Sequence, residues 1–247
     1  MEPVPAIGLQ HFLTHADLVA RAILALMVLA SITSWYLIVT RALAAVRSQR
    51  RSAQFQQFFW GAASLEVVEQ QLQNSAPADP LAHLASQGLL ARRHHARAGV
   101  RTLGDAGDIA DLVTRTLRKT IDEETTRMES GLTVLASVGS TAPFVGLLGT
   151  VWGLYHALAA IGLSGGATID KVAGPVGEAL IMTAIGLAVA IPAVLGYNFI
   201  VRRNRVTAAR MDAFAHDLYT FLVTGSRLDR HPEGSTVPAT PAGAAGH

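Results

Sequence analysis

Three long apolar stretches divide the chain, and each one is long enough to cross a membrane. They cover residues 18–40, 132–163 and 172–201, with polar residues between and after them. A helix that spans a bilayer needs about 20 consecutive apolar residues. The pattern therefore predicts an all-α integral membrane protein with three transmembrane helices. Composition agrees, because 50% of the residues are hydrophobic, only 15% are charged and the mean hydropathy is +0.34.

The first apolar stretch is predicted to be a retained span rather than a cleaved signal peptide. Signal peptides place basic residues before a shorter apolar run. Here the basic cluster follows the run, at Arg41, Arg47, Arg50 and Arg51. Residues 1–17 are expected to form a short segment that leads into this span.

The polar region at residues 41–131 is predicted to be a helical domain. Two prolines within residues 74–80 indicate a turn there. No helix breaker separates the last of its helices from the second span, so we expect one unbroken helix. A polar loop at 164–171, a helix at 202–228 that prolongs the third span, and a disordered tail at 229–247 complete the prediction. The helices of the domain are expected at residues 42–72, 81–101 and 108–130.

The positions of the arginines predict the orientation of the chain. Arginines follow the first and third spans, whereas the 164–171 loop contains a single lysine. Cytoplasmic loops are enriched in Lys and Arg. We therefore expect the 41–131 domain and the C-terminus in the cytoplasm and the N-terminus outside. Arg202, Arg203 and Arg205 are the residues expected to meet lipid headgroups and to set this topology.

A stripe of small residues runs along the second span. Gly139, Gly146 and Gly153 recur every seven residues, and Gly149 adds a Gly-x-x-x-Gly pair with Gly153. Small residues let the backbones of membrane helices approach closely. The stripe is typical of a helix that packs on a neighbour, and Gly186 of the third span belongs to a similar arc.

Glu178 is the candidate functional residue of the third span. It lies roughly 9 Å inside the outer end of the predicted helix, at 1.5 Å per residue. A charge at that depth is costly unless it is neutralised, paired or hydrated, and no Lys or Arg lies within these later spans to pair with it. A carboxyl group protonated for part of a working cycle would be a proton carrier. The alternative is a structural carboxylic acid hydrogen-bonded to a neighbouring helix.

Thr150 and Thr183 are weaker candidates. A threonine within a membrane helix commonly returns its hydroxyl group to the backbone carbonyl four residues earlier. The alternative is that the two hydroxyl groups line a hydrated path. The sequence leaves both readings open.

Several classes of protein lack support in the sequence. The chain has no cysteine, which excludes disulfides and thiolate metal sites. It has no phosphate-binding loop, no nucleophile elbow and no zinc-protease motif. We expect no enzyme activity, cofactor, metal or nucleic-acid partner, and we expect the membrane potential to be the energy source.

Two motifs resemble the proton-channel family of ExbB, TolQ and MotA. The sequence GSTAPFVGLLGTVWG at residues 139–153 is similar to the second-span signature of that family. The sequence GPVGEALIMTAIGLAVAIPAVLGYN at residues 174–198 is similar to its third-span signature. The lead-in to the glycine-rich core is more similar to the ExbB branch than to the TolQ branch. Departures are Leu148 in place of a frequent Phe, a glycine-rich 164–171 loop and an unrelated tail.

The resemblance implies a bacterial inner-membrane motor subunit. It implies a homo-pentamer around the transmembrane helices of an ExbD-like partner, with the second and third spans extended into the cytoplasm and lining a central pore. Glu178, Thr150 and Thr183 would belong to the proton path, and the partner would bring an aspartate into the pore. Proton flow would energise a TonB-like protein for uptake of iron chelates and vitamin B12. A TolQ-type role in envelope maintenance and a non-conducting scaffold are the alternatives.

Overall fold

The computed structural model describes residues 17–74, 79–98, 109–164 and 169–225, and most of these residues are helical. The predictions for residues 1–16, for the 165–168 part of the loop and for the tail lie outside the described residues. The all-α prediction is confirmed. The six helices are α1 (Leu18–Gly61), α2 (Leu65–Asn74), α3 (Pro80–Ala98), α4 (Ile109–Glu129), α5 (Leu132–Ser164) and α6 (Ile169–Thr224).

Three helical stretches are long and apolar enough to cross a membrane. They are Leu18–Gly61, Ile109–Ala159 and Ala179–Thr224. Each overlaps one of the predicted spans, so the prediction of three long apolar helices is confirmed. We call the packed apolar parts the membrane bundle, which comprises residues 18–40 of α1, 132–164 of α5 and 169–201 of α6.

Helix α1 begins at an N-terminal cap supplied by Asp17. The Asp17 carboxylate accepts a hydrogen bond of 2.9 Å from the backbone N–H of Ala20, which satisfies one of the donors that a helix start leaves free. The helix then runs for 44 residues. It continues well past the predicted end of the first span, so the bundle and the polar region share one continuous helix.

The prediction of an unbroken helix into the second span is wrong at one point. Ser130 and Gly131 form a turn between α4 and α5, and Gly131 has a φ of +84°. Glycine adopts this left-handed conformation without the steric cost that a Cβ imposes, and it commonly ends helices this way. The chain therefore stops one helix and starts the next at the border of the membrane bundle.

Helix α6 is the longest helix, with 56 residues. Its first part packs against α5 along the most extensive helix interface of the molecule. Its second part leaves the bundle and ends at Thr224, where Gly225 has a φ of +76° and donates its N–H to the Phe221 carbonyl at 3.0 Å.

The polar region has a hydrophobic core of its own, which we call the helical domain. Side chains from α1, α2, α3, α4 and α6 meet there, with Phe59 and Phe214 in edge contact at a centroid distance of 5.4 Å. Asp79 caps α3 by accepting hydrogen bonds from the N–H groups of Leu81 and Ala82. Helices α1 and α6 enter this core directly from the membrane bundle and so connect the two parts.

The membrane bundle leaves a large apolar surface uncovered. The exposed residues include Leu29, Ile32 and Tyr36 of α1, Phe144 and Leu148 of α5, and Leu180, Ile191 and Leu195 of α6, each more than half exposed. A soluble monomer rarely exposes so much contiguous apolar surface. Lipid or other protein chains are needed to cover it.

Candidate functional site

The small residues of α5 lie against α6 along the length of the interface. A Cβ built on Gly139 would approach Val194 Cγ2 at 2.6 Å, and one on Gly149 would approach Met182 Cε at 2.8 Å. Gly153 lies against Ala179, with a corresponding distance of 3.3 Å. The bulky Phe144 and Leu148 side chains of the same helix are exposed. The glycines thus mark the side of α5 that contacts α6.

The closest approach of the two backbones is at Gly146 and Gly186. A Cβ on Gly146 would lie 2.8 Å from the Met182 carbonyl oxygen, and a Cβ on Gly186 would lie 2.8 Å from the Ala142 carbonyl oxygen. Both distances are shorter than atoms tolerate, and backbone atoms cannot rotate aside. Only glycine fits on either helix here, which fixes the relative depth and rotation of α5 and α6.

One turn from this crossing, the hydroxyl groups of Thr150 and Thr183 are in direct hydrogen-bonding contact. Thr150 is only 6% exposed, and its hydroxyl also donates to the Gly146 carbonyl at 3.1 Å. A hydroxyl group has one proton to donate and two lone pairs to accept. The Thr150 hydroxyl uses its one proton in the hydrogen bond to the Gly146 carbonyl. In its contact with Thr183 it is therefore the acceptor, and the Thr183 hydroxyl is the donor. Thr150 therefore bonds to its own backbone and also to the facing helix, and the hydrated path stays a prediction.

Glu178 lies on α6, five residues before Thr183. Five helical residues correspond to a rise of about 7.5 Å and a rotation of about 140°. Its side chain is not among those that the structure describes, so only its place on the helix is reported. The next residue, Ala179, is buried against Gly153. The backbone of Glu178 therefore lies close to the level of Gly153 on α5.

That level is near the start of α1. The indole Nε1 of Trp152 donates a hydrogen bond of 2.7 Å to the second carboxylate oxygen of Asp17. The N–H of Ala20 and then the Trp152 indole hold the pKa of Asp17 below its usual value of 3.8. His156 packs on the Trp152 ring at a centroid distance of 4.6 Å. We call Asp17, Trp152 and His156 the Asp17 cluster.

Neither Asp17 nor Trp152 is among the site residues predicted from the sequence. Asp immediately before an apolar helix is a recognised N-cap signal, and Trp is enriched at membrane interfaces. The first of these signals could place Asp17 at the start of a helix. The two signals were not sufficient to pair the two residues, because these are 135 residues apart in the chain.

The three predicted headgroup arginines differ in their surroundings. Arg202 and Arg205 are exposed. Arg203 instead donates a hydrogen bond of 2.7 Å to Gln49 Oε1 of α1, and its guanidinium carbon lies 5.3 Å from the centre of the Phe199 ring. Arg203 therefore connects α6 to α1.

Within the described ranges, no group of three or more His, Asp or Glu side chains is placed to hold a metal ion.

Known proteins resemble this chain over most of its length. The family model described as the MotA/TolQ/ExbB proton channel family matches residues 80–213. A biopolymer transport protein ExbB of Xanthomonas campestris pv. campestris is 42% identical over 229 residues, which are 90% of each chain. An ExbB of Neisseria meningitidis is 40% identical over 207 residues, which are 84% of this chain and 93% of the relative.

A more distant relative is a Tol-Pal system protein TolQ of Pseudomonas aeruginosa. It is 32% identical over 225 residues, which are 90% of this chain and 96% of the relative. The family match covers α3, α4, α5 and most of α6, and it includes the Gly146–Gly186 crossing and the threonine pair. The chain belongs to the MotA/TolQ/ExbB proton channel family.

Proposed function

We propose that this chain is the ExbB-type subunit of a proton-driven motor in the bacterial inner membrane. With an ExbD-like partner, it would use the proton motive force to energise a TonB-like protein for uptake through outer-membrane receptors. The observation that supports this proposal best is the identity of 42% to an ExbB over 90% of both chains. No enzymatic role is proposed.

The proton path is proposed to include Glu178, Thr150 and Thr183. The hydroxyl contact of Thr150 with Thr183 supports this proposal, because linked hydroxyl groups can accept a proton on one side and donate one on the other. Glu178 adds a group that can carry the proton. At a potential of 100 mV, each elementary charge that crosses supplies about 2.3 kcal/mol.

Five copies of the chain are proposed to surround the partner's helices. The uncovered apolar faces of α5 and α6 support an assembly of this kind, because Phe144, Leu148 and Leu180 are each more than half exposed. The helical domain and the C-terminus are proposed to lie in the cytoplasm. The arginines that follow the first and third spans support this orientation.

The test is the substitution Glu178→Ala in the complete complex, in a host that lacks its own copy of this protein. The expected result is loss of growth on iron chelates and loss of proton conduction in vesicles, with normal assembly on purification. Glu123→Ala is the matched control, because Glu123 is an exposed carboxylate on α4. Normal uptake by an assembled Glu178→Ala complex would overturn the proton-carrier role and favour a non-conducting scaffold.

A TolQ-type role is the second candidate, because the TolQ of Pseudomonas aeruginosa also matches 90% of this chain. The two candidates are separated by complementation. One host lacks ExbB and is scored for growth on iron chelates, and the other lacks TolQ and is scored for detergent resistance. Rescue of detergent resistance without rescue of iron uptake would replace the ExbB-type proposal by the TolQ-type one.

A further inference from the structure

A cavity of about 480 Å³ opens between the membrane bundle and the helical domain. Arg41, Met128 and Ile200 are among its lining residues, and they belong to α1, α4 and α6. Arg41 directly follows the first predicted span, and Ile200 is near the end of the third. The Ser130–Gly131 break begins two residues after Met128. The cavity therefore lies at the depth where all three spans end.

The lining of this cavity is basic. It contains the four arginines Arg41, Arg47, Arg51 and Arg127, against the two carboxylates Asp79 and Glu124. Basic pockets between membrane helices on the cytoplasmic side suit the headgroups of anionic lipids.

Both carboxylates already have partners. Asp79 Oδ1 accepts hydrogen bonds from Ser52 Oγ at 3.1 Å and from the N–H groups that begin α3. Glu124 Oε1 contacts His83 Nδ1 at 2.7 Å and Arg127 at 3.7 Å. The lining therefore carries two more positive than negative charges, from four arginines and two carboxylates.

Three arginines remain without a carboxylate. Arg41 donates a hydrogen bond of 2.7 Å to the neutral hydroxyl of Ser130. Arg47 and Arg51 form no ion pair within the part of the chain that the structure describes. All three are on α1 and line one cavity. Guanidinium groups bind phosphate oxygens through paired N–H donors, which makes a phosphate the anion that this set fits.

We propose that this cavity binds the phosphate group of an anionic phospholipid from the adjacent leaflet. Arg41, Arg47 and Arg51 contact the phosphate. The side chains of Met128 and Ile200, with Ala44 and Ala45, form the apolar part of the lining and contact the glycerol and the start of the acyl chains. The cavity has room for the headgroup and glycerol but not for the acyl chains, which lie outside among the exposed apolar side chains.

A lipid bound here would join three helices at the point where α4 ends and the second span begins. It would connect α1 to the end of α4 and to α6 beside the Asn204 side chain, which donates to the Met128 carbonyl at 2.8 Å. The lipid would therefore stabilise the junction between the membrane bundle and the helical domain. This inference does not depend on the proposed transport function.

Native mass spectrometry of the full chain tests the proposal. The protein is purified, exchanged into mild detergent and supplied with either phosphatidylglycerol or phosphatidylcholine. The wild type is expected to retain phosphatidylglycerol at least about fivefold more than phosphatidylcholine, because only the former carries net negative charge at its headgroup. Equal retention of the two lipids would overturn the proposal.

Matched variants assign the binding to this cavity. The double variant R47Q/R51Q removes two exposed arginines that line it, whereas R118Q/R210Q removes two exposed arginines of α4 and α6 that do not. Retention of phosphatidylglycerol is expected to fall about fivefold in the first variant and to stay unchanged in the second. Equal losses would show non-specific attraction and overturn the proposal.

Inorganic phosphate is the competing source of the same chemistry. It is added at millimolar concentration to the wild type loaded with phosphatidylglycerol. Continued retention of the lipid supports a lipid site. Displacement of the lipid by inorganic phosphate would identify a site for free phosphate and overturn the assignment to phospholipid.

Discussion

The hydroxyl group of Thr150 contacts the hydroxyl group of Thr183 across the interface of α5 and α6. The contact exists because Gly146 and Gly186, one turn away, have no Cβ and so allow the two backbones to come into direct contact. The same glycines that support packing therefore also bring two polar groups together in an otherwise apolar interface. Substitution of the threonines tests the role of the hydroxyl groups, and substitution of the glycines tests the packing of the two helices.

Replacing either threonine by valine keeps the shape of the side chain and removes the hydroxyl group. If protons pass through the pair, Thr150→Val should lower proton conduction by roughly tenfold, the equivalent of one lost hydrogen bond of about 1.4 kcal/mol. Conduction is measured with a pH-sensitive dye in vesicles that contain the assembled complex.

Thr150→Ser is the matched control for this prediction. Serine keeps the hydroxyl group and loses one methyl group, so conduction should remain close to that of the wild type. Equal defects in the serine and valine variants would show that packing rather than the hydroxyl group matters.

Alanine at the glycine crossing should weaken the helix interface. Gly146→Ala and Gly186→Ala each force a methyl group against a carbonyl oxygen, and overpacking of this kind costs about 1–3 kcal/mol. The expected result is a lower midpoint of thermal unfolding in detergent. Gly162→Ala is the control on the same helix, because a Cβ there meets nothing within 4 Å. A control as unstable as the crossing variants would contradict the packing interpretation.

The sequence was sufficient to predict the three apolar helices and the residues of the α5 stripe. The length of each apolar stretch predicts a membrane span, and glycines spaced seven residues apart are predicted to lie on one face of a helix. The contact of Thr150 with Thr183 could not be predicted, because it depends on the rotation of two helices about their axes. That rotation is decided by backbone contacts at Gly146 and Gly186, which a sequence does not display.

The break at Gly131 could have been found in the sequence. Glycine after a polar helix is a common C-terminal signal, and Arg127 lies in the last turn before it. The long polar and apolar pattern without proline conceals this signal in the sequence. The continuity of α1 past residue 40 is also not evident from the sequence, because the arginines there mark a change in polarity and not in backbone conformation.

Loss of the His83 side chain should destabilise the helical domain. Glu124 is 6% exposed, and its carboxylate contacts His83 on α3 at 2.7 Å. His83→Ala leaves this buried acceptor with only a distant arginine, at a cost of about 1–3 kcal/mol. Chemical unfolding monitored by circular dichroism measures the change.

The exposed pair of Lys119 and Glu123 on the same α4 helix is the control. Lys119→Ala should change stability by less than about 0.5 kcal/mol, because exposed ion pairs contribute little. The double variant His83→Leu with Glu124→Met should recover part of the loss, since it removes both polar partners. A double variant less stable than His83→Ala would contradict this account.

Acidification should release Trp152 from Asp17 only at low pH. The N–H of Ala20 and the Trp152 indole hold the pKa of the Asp17 carboxyl below 3.8, so the contact is complete above that pH and is lost as the pH falls through the lowered pKa. Tryptophan fluorescence of a Trp35→Phe, Trp60→Phe protein reports Trp152 alone. We expect a spectral midpoint below pH 3.8, and no such transition when Asp17→Asn is added. A midpoint at or above 3.8, or a transition that persists in the Asp17→Asn protein, would show that the indole does not stabilise the charged carboxylate.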